Sequence, residues 1–106
     1  MLSASVEADL IVDLQTRLDT LLTLAEEVGL TIRREPLGGD GGGFCVLRGK
    51  RILFVDTSAD LEARYEATLG ALAPLPEVDA HYLPPEVRED LDRQRGAESA
   101  PRGPSA

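Results

Sequence analysis

The stretch Phe44 to Asp56, FCVLRGKRILFVD, decides the fold. Two runs of apolar residues, Phe44 to Leu47 and Ile52 to Val55, flank a basic link that contains one glycine. Short apolar runs bounded by turn residues read as β-strands. A strand with one wet face alternates apolar and polar residues, because successive side chains point to opposite faces. These runs do not alternate, so the pattern predicts a hairpin covered on both faces, with Cys45 as a small core residue. A two-residue turn at Gly49-Lys50 suits type II′ geometry, which wants glycine first, and sets Arg48 opposite Arg51. Like charges facing each other need water or an anion between them, so this end of the hairpin is expected at the surface.

Upstream of the hairpin, residues 4 to 28 read as one amphipathic helix. Ile11, Leu14, Leu18, Leu21, Ala25 and Val28 recur at alternating spacings of three and four, the period of a helix face. Leu10, Leu22 and Leu24 widen that stripe, and Gly29 is placed to end the helix. One face of this kind covers a sheet. The extra width suggests a seat for a second copy, with Leu10, Leu14, Leu18, Leu21, Leu22 and Leu24 as its candidate residues. Leu30 to Glu35, LTIRRE, then alternates as an edge strand with Thr31 and Arg33 outward, and Pro36 stops it.

Between that strand and the hairpin lies PLGGDGGG, residues 36 to 43. A phosphate-binding P-loop needs Lys-Ser or Lys-Thr after its last glycine and then a helix. Phe44-Cys45 and a strand follow instead. Gly38-Gly39-Asp40 also lacks the Glu-Phe that completes the diguanylate cyclase signature. Backbone amides at glycine turns favour a small anion. Gly39, Asp40, Gly41 and Gly42, with Arg48, Lys50 and Arg51 of the hairpin turn, are therefore the candidate anion site.

Downstream, Thr57 or Ser58 fits a helix N-cap, with Asp60 completing a capping box after Thr57. The helix presents Leu61, Tyr65, Leu69 and Leu72 on one stripe. Gly70, unfavourable in a helix interior by about 1 kcal/mol relative to alanine, points to close packing there. Residues 74 to 84 read as irregular, with Val78, Tyr82 and Leu83 docking on the domain. Pro85 opens a short helix to about Arg93. The expected folded domain spans residues 1–95, and residues 96–106 form a tail without large apolar residues.

Composition excludes several functions. A net charge of −8 argues against nucleic acid, whose binders cluster lysine and arginine against phosphates. No apolar stretch approaches the ~20 residues of a membrane span, and no basic, then apolar, signal segment opens the chain. One cysteine fits a reducing cytoplasm. The only histidine, His81, sits near Asp79 and Glu86, too few ligands for a closed metal site. Compact zinc peptidases also run strand, hairpin, helix, but the helix here carries no His-Glu-x-x-His.

Together these readings predict an α+β fold in the order α-β-β-β-α-α, with a three-stranded, mainly antiparallel sheet. No catalytic residue, metal ligand or cofactor is expected. The predicted function is a non-catalytic interaction module, self-associating or part of a larger assembly. The alternative is a domain that senses a small anionic metabolite.

Overall fold

Helix α1 forms where the apolar stripe runs, over Leu2–Glu27. The structure is a computed structural model that describes residues 2–99, and side chains over residues 13–96. The helix ends in the bond pattern of a Schellman motif: the Leu30 amide donates to the Ala25 carbonyl at 2.9 Å and the Gly29 amide to that of Glu26 at 3.1 Å. The chain then turns directly into β1, Thr31–Glu35, and continues through β2, Gly42–Leu47, and β3, Lys50–Asp56. Helix α2, Leu61–Leu72, follows, then a 3-10 turn over Pro76–Ala80 and helix α3, Pro85–Ser99. The element order is the expected α+β sequence.

The sheet has the order β1-β3-β2 and is mixed. β2 and β3 form the expected antiparallel hairpin, but β1 runs parallel to β3, pairing Thr31 with Ile52 and Arg33 with Phe54. One of two pairings is therefore parallel, where a mainly antiparallel sheet was expected. The cause lies in the glycine loop, which carries the chain past the central position and lets β2 enter on the far edge.

The hairpin turn also sits one residue earlier than expected. Arg48 and Gly49 are its central residues, with φ of 53° and 80°, both in the left-handed region as in a type I′ turn. Leu47 consequently faces Lys50, and Val46 faces Arg51. Arg48 does not oppose Arg51, so the expected like-charge pair does not form.

Helices α1 and α2 pack side by side on one face of the sheet. Leu53 and Val55 of β3 join Leu18, Leu21, Leu24, Tyr65, Leu69 and Leu72 in the core. Ile52 and Phe54 alternate to the opposite face, where Arg33 lies over the Phe54 ring. The helices thus cover one face of the hairpin rather than two; on the other, Ile52 is buried between its ladder partners Thr31 and Cys45, and Phe54 is half-buried. Cys45, expected inside, is exposed. Val87 and Leu91 of α3 close the core together with Val78 and Leu83, whereas Tyr82, expected to dock, is exposed.

The leucine stripe of α1 is used inside the subunit. Leu18, Leu21, Leu22 and Leu24 are all buried, and Leu14 packs against the same cluster. Its width serves α2 and the sheet at once, so these residues do not form a free seat for a second copy. The Leu10 side chain lies outside the described residues.

Two boundaries move as well. The N-cap of α2 is Asp60, whose side chain accepts the Ala63 amide at 2.8 Å; neither Thr57 nor Ser58 fills that role. Helix α3 continues through Gly96 to Ser99, past the expected domain end at residue 95. The rest of the expected tail lies outside the described residues.

Candidate functional site

The glycine loop does bind an anion, and the protein supplies it. Asp56, the last residue of β3, is fully buried, with its carboxylate inside the loop. Oδ1 accepts the Leu37 amide at 2.7 Å and the Ser58 amide at 2.9 Å, and Oδ2 accepts the Gly39 amide at 2.6 Å and the Gly41 amide at 3.3 Å. The Ser58 hydroxyl donates to Oδ1 at 2.5 Å while accepting the Gly38 amide at 3.1 Å. Burial pushes the Asp56 carboxyl upward, but the bonds from Ser58, Leu37 and Gly39 outweigh it and hold the group well below the usual carboxylate range.

Glycine is required where the loop rejoins the fold. Gly41 and Gly42 have φ of 108° and 121°. A side chain on Gly41 would press into the Ala63 carbonyl of α2, and one on Gly42 would strike the Phe54 carbonyl of β3. The Asp56 amide donates back to the Gly41 carbonyl at 3.0 Å, continuing the β2–β3 ladder into the loop.

The expected anion site is not assembled. The loop lies before β2 and the basic turn after it, roughly 17–20 Å apart for a strand of this length. Gly39 and Gly41 already donate to Asp56, and Asp40 is exposed at the loop tip. Arg51 turns to the helix face, donating to the Val28 carbonyl and to Glu77, each at 2.5 Å. It caps the carbonyl end of α1, where a cation suits the helix dipole. Arg48 and Lys50 are exposed at the turn.

A second buried polar cluster ties the helices together. Asp90 of α3 accepts the Tyr65 hydroxyl of α2 at 2.5 Å and the Arg17 guanidinium of α1 at 2.8 Å, both on Oδ2, while Arg93 bonds Oδ1 at 3.0 Å. Burial raises the Tyr65 phenol, and the Asp90 carboxylate raises it further. Burial also pushes Asp90 upward, yet Tyr65 and Arg17 hold it below its ordinary value. Each member meets a complementary partner, which makes the cluster a structural clamp rather than an open reactive site.

His81 Nδ1 lies 3.5 Å from a carboxylate oxygen of Glu27. Asp79 is taken by Arg88 and Arg95, at 2.9 and 2.8 Å. Among the described residues, no group of three histidine, cysteine or acidic side chains is arranged to hold a metal ion. A groove of about 400 Å³ runs between α1 and Tyr82–Pro84, with Thr20, Thr23 and Glu27 on its helical wall. No described helix is long and apolar enough to cross a membrane.

Among the described residues, the outer edge of β2 carries the longest run of exposed apolar side chains. Phe44, Val46 and Leu47 are 36%, 58% and 50% exposed, and Cys45 between them is exposed too. Phe44 and Val46 lean toward α2, and Cys45 and Leu47 face the other side, as the pairing with Leu53 and Ile52 requires. The sequence marks this strand as strongly apolar but does not say whether a helix or a partner covers it. In comparisons with known proteins, no family model, curated protein or solved structure matches the chain.

Proposed function

We propose that the protein is a non-catalytic interaction module that joins its partner by strand addition along β2. The observation that carries this reading is the exposure of Phe44, Cys45, Val46 and Leu47 in a row on an edge strand. An unpaired strand edge is a template for another strand, and soluble proteins blunt such edges with charge, proline or a bulge. The β1 edge has these guards in Arg33, Arg34, Glu35 and Pro36; β2, reading GGFCVL, has none. A contiguous apolar patch of this kind marks an interaction surface. Main-chain bonds supply affinity in such a junction, and alternate side chains supply specificity.

The sensing alternative is weaker, because the loop amides it relies on already serve Asp56. A cytoplasmic setting belongs to the same proposal: an exposed lone thiol at Cys45 is compatible with compartments that keep thiols reduced.

Sizing the tagged full chain in extracts of its native cell, beside Val46→Lys, tests the proposal. The expected result is a wild-type species clearly above the 11.4 kDa of the chain and a variant that returns to that mass. Wild-type protein running at the single-chain mass would overturn it.

A further inference from the structure

We infer that the partner is a second copy of this chain, docked antiparallel along β2 about a two-fold axis at Cys45, so that two three-stranded sheets become one. This inference rests on β2 being the joining edge and adds the identity and register of what it joins.

The backbone phase comes first. A two-residue turn at Arg48-Gly49 makes Leu47 and Lys50 the closing hydrogen-bonded pair. Such pairs alternate along an antiparallel ladder, so Cys45 with Ile52 and Gly43 with Phe54 are the next two. The bond from the Asp56 amide to the Gly41 carbonyl has the same phase. The amides and carbonyls of Gly42, Phe44 and Val46 therefore point away from β3, toward the open edge.

Those groups restrict the register. An antiparallel copy must match outward-pointing residues with outward-pointing residues. Phe44 against the partner's Val46 satisfies this and repeats by symmetry as Val46 against the partner's Phe44. An aromatic facing a β-branched residue is a favourable cross-strand pair. Leu47 then falls opposite Gly43, which has open space beside it. Shifting the axis to Phe44 would set Val46 against Gly42 and lose most of the apolar pairing.

Charge selects the direction. The basic residues Arg48 and Lys50 follow β2, and Asp40 precedes it. Antiparallel docking brings the basic turn of each copy beside Asp40 of the other. Parallel docking would put two basic turns together, at a cost in like-charge repulsion. The antiparallel arrangement is also the one that closes, leaving no further β2 edge to extend.

In this register Cys45 faces Cys45 as a non-hydrogen-bonded pair, with a Cα separation of about 4.5 Å, inside the range a disulfide spans. That supplies a probe. The purified full chain is sized by light scattering from micromolar to near-millimolar concentration, beside Val46→Lys and Cys45→Ser, each with and without an added thiol oxidant. The expected results are a reducible dimer of twice the 11.4 kDa chain mass, crosslinked by oxidant in wild type and not in Cys45→Ser. Cys45→Ser should stay dimeric, and Val46→Lys should be monomeric with its melting temperature kept, since Val46 is exposed in the subunit. A dimer that survives Val46→Lys, or that oxidant fails to crosslink, would overturn the inference. A chain that is monomeric when pure but assembles in its cell through β2 would also overturn it, while leaving the interaction module standing. A monomer in both settings removes both.

Discussion

Asp56 accepts the Gly39 amide at 2.6 Å, across a separation of 17 residues. That bond joins the end of the central strand to the glycine loop that delivers β2 to its edge. The loop is consequently a structural element, held in shape by an internal carboxylate, and it sets where the exposed strand begins.

Replacing that carboxylate tests the relationship. Asp56→Asn keeps the volume but turns one oxygen into a donor among amides that also donate. The melting temperature is expected to fall by about 5–10 °C in a domain of this size. The folded carboxyl titrates below its unfolded value of about 3.9. Its contribution is therefore complete above about pH 5 and is lost as the pH falls toward the folded pKa. The gap between wild type and Asp56→Asn should narrow on acidification, and a gap independent of pH would show that the group is not ionised in the fold.

The glycines of the loop separate into two classes. Gly41→Ala and Gly42→Ala meet backbone of α2 and β3 as well as a left-handed φ, and each should cost more than about 3 kcal/mol in urea unfolding. Gly38→Ala and Gly39→Ala meet no neighbour and should cost about 1–2 kcal/mol, the penalty of the left-handed backbone alone. Equal losses at all four positions would contradict the packing described.

The helical clamp is expected to be graded. Tyr65→Phe removes one donor from Asp90 but leaves Arg17 and Arg93 in place, which should cost about 1–2 kcal/mol. Asp90→Ala leaves the buried Tyr65 hydroxyl unpaired and deprives Arg17 of a carboxylate, for about 3 kcal/mol. Urea titration of the two variants checks the order.

Millimolar phosphate or nucleotide is expected to leave the melting temperature unchanged. The amides of Leu37, Gly39 and Gly41 are already bonded to Asp56, and Arg51 is bonded to Glu77 and Val28. A clear rise in a thermal-shift assay would show that an external anion enters the loop.

Much of this architecture is legible in the amino-acid sequence. The spacing of Leu14, Leu18, Leu21 and Ala25 marks α1, Gly29 ends it, and the apolar runs mark the hairpin. The glycine loop is legible as an anion cradle, but its anion comes from Asp56, beyond two strands. The local signal was Asp56-Thr57-Ser58, where the Ser58 amide bonds the Asp56 side chain in an Asx turn. The turn falls one residue earlier than the glycine position suggests because Arg48, not a glycine, takes the left-handed conformation beside Gly49. Apolar residues on both faces of a strand state that it avoids water, not what covers it. That ambiguity places the expected surplus on α1, whose Leu18, Leu21, Leu22 and Leu24 are buried, whereas among the described residues the longest run of exposed apolar side chains lies on β2.

The amides of Phe44 and Val46 point to the open edge of the sheet, toward the proposed partner strand. Residue-resolved hydrogen exchange of the purified chain, followed by NMR across a concentration series, reads them individually. The expected result is slow exchange at both positions at high concentration, quickening on dilution, while Cys45 stays protected throughout by its bonds to β3. Rapid exchange of Phe44 and Val46 at every concentration would contradict pairing of this edge with a second copy.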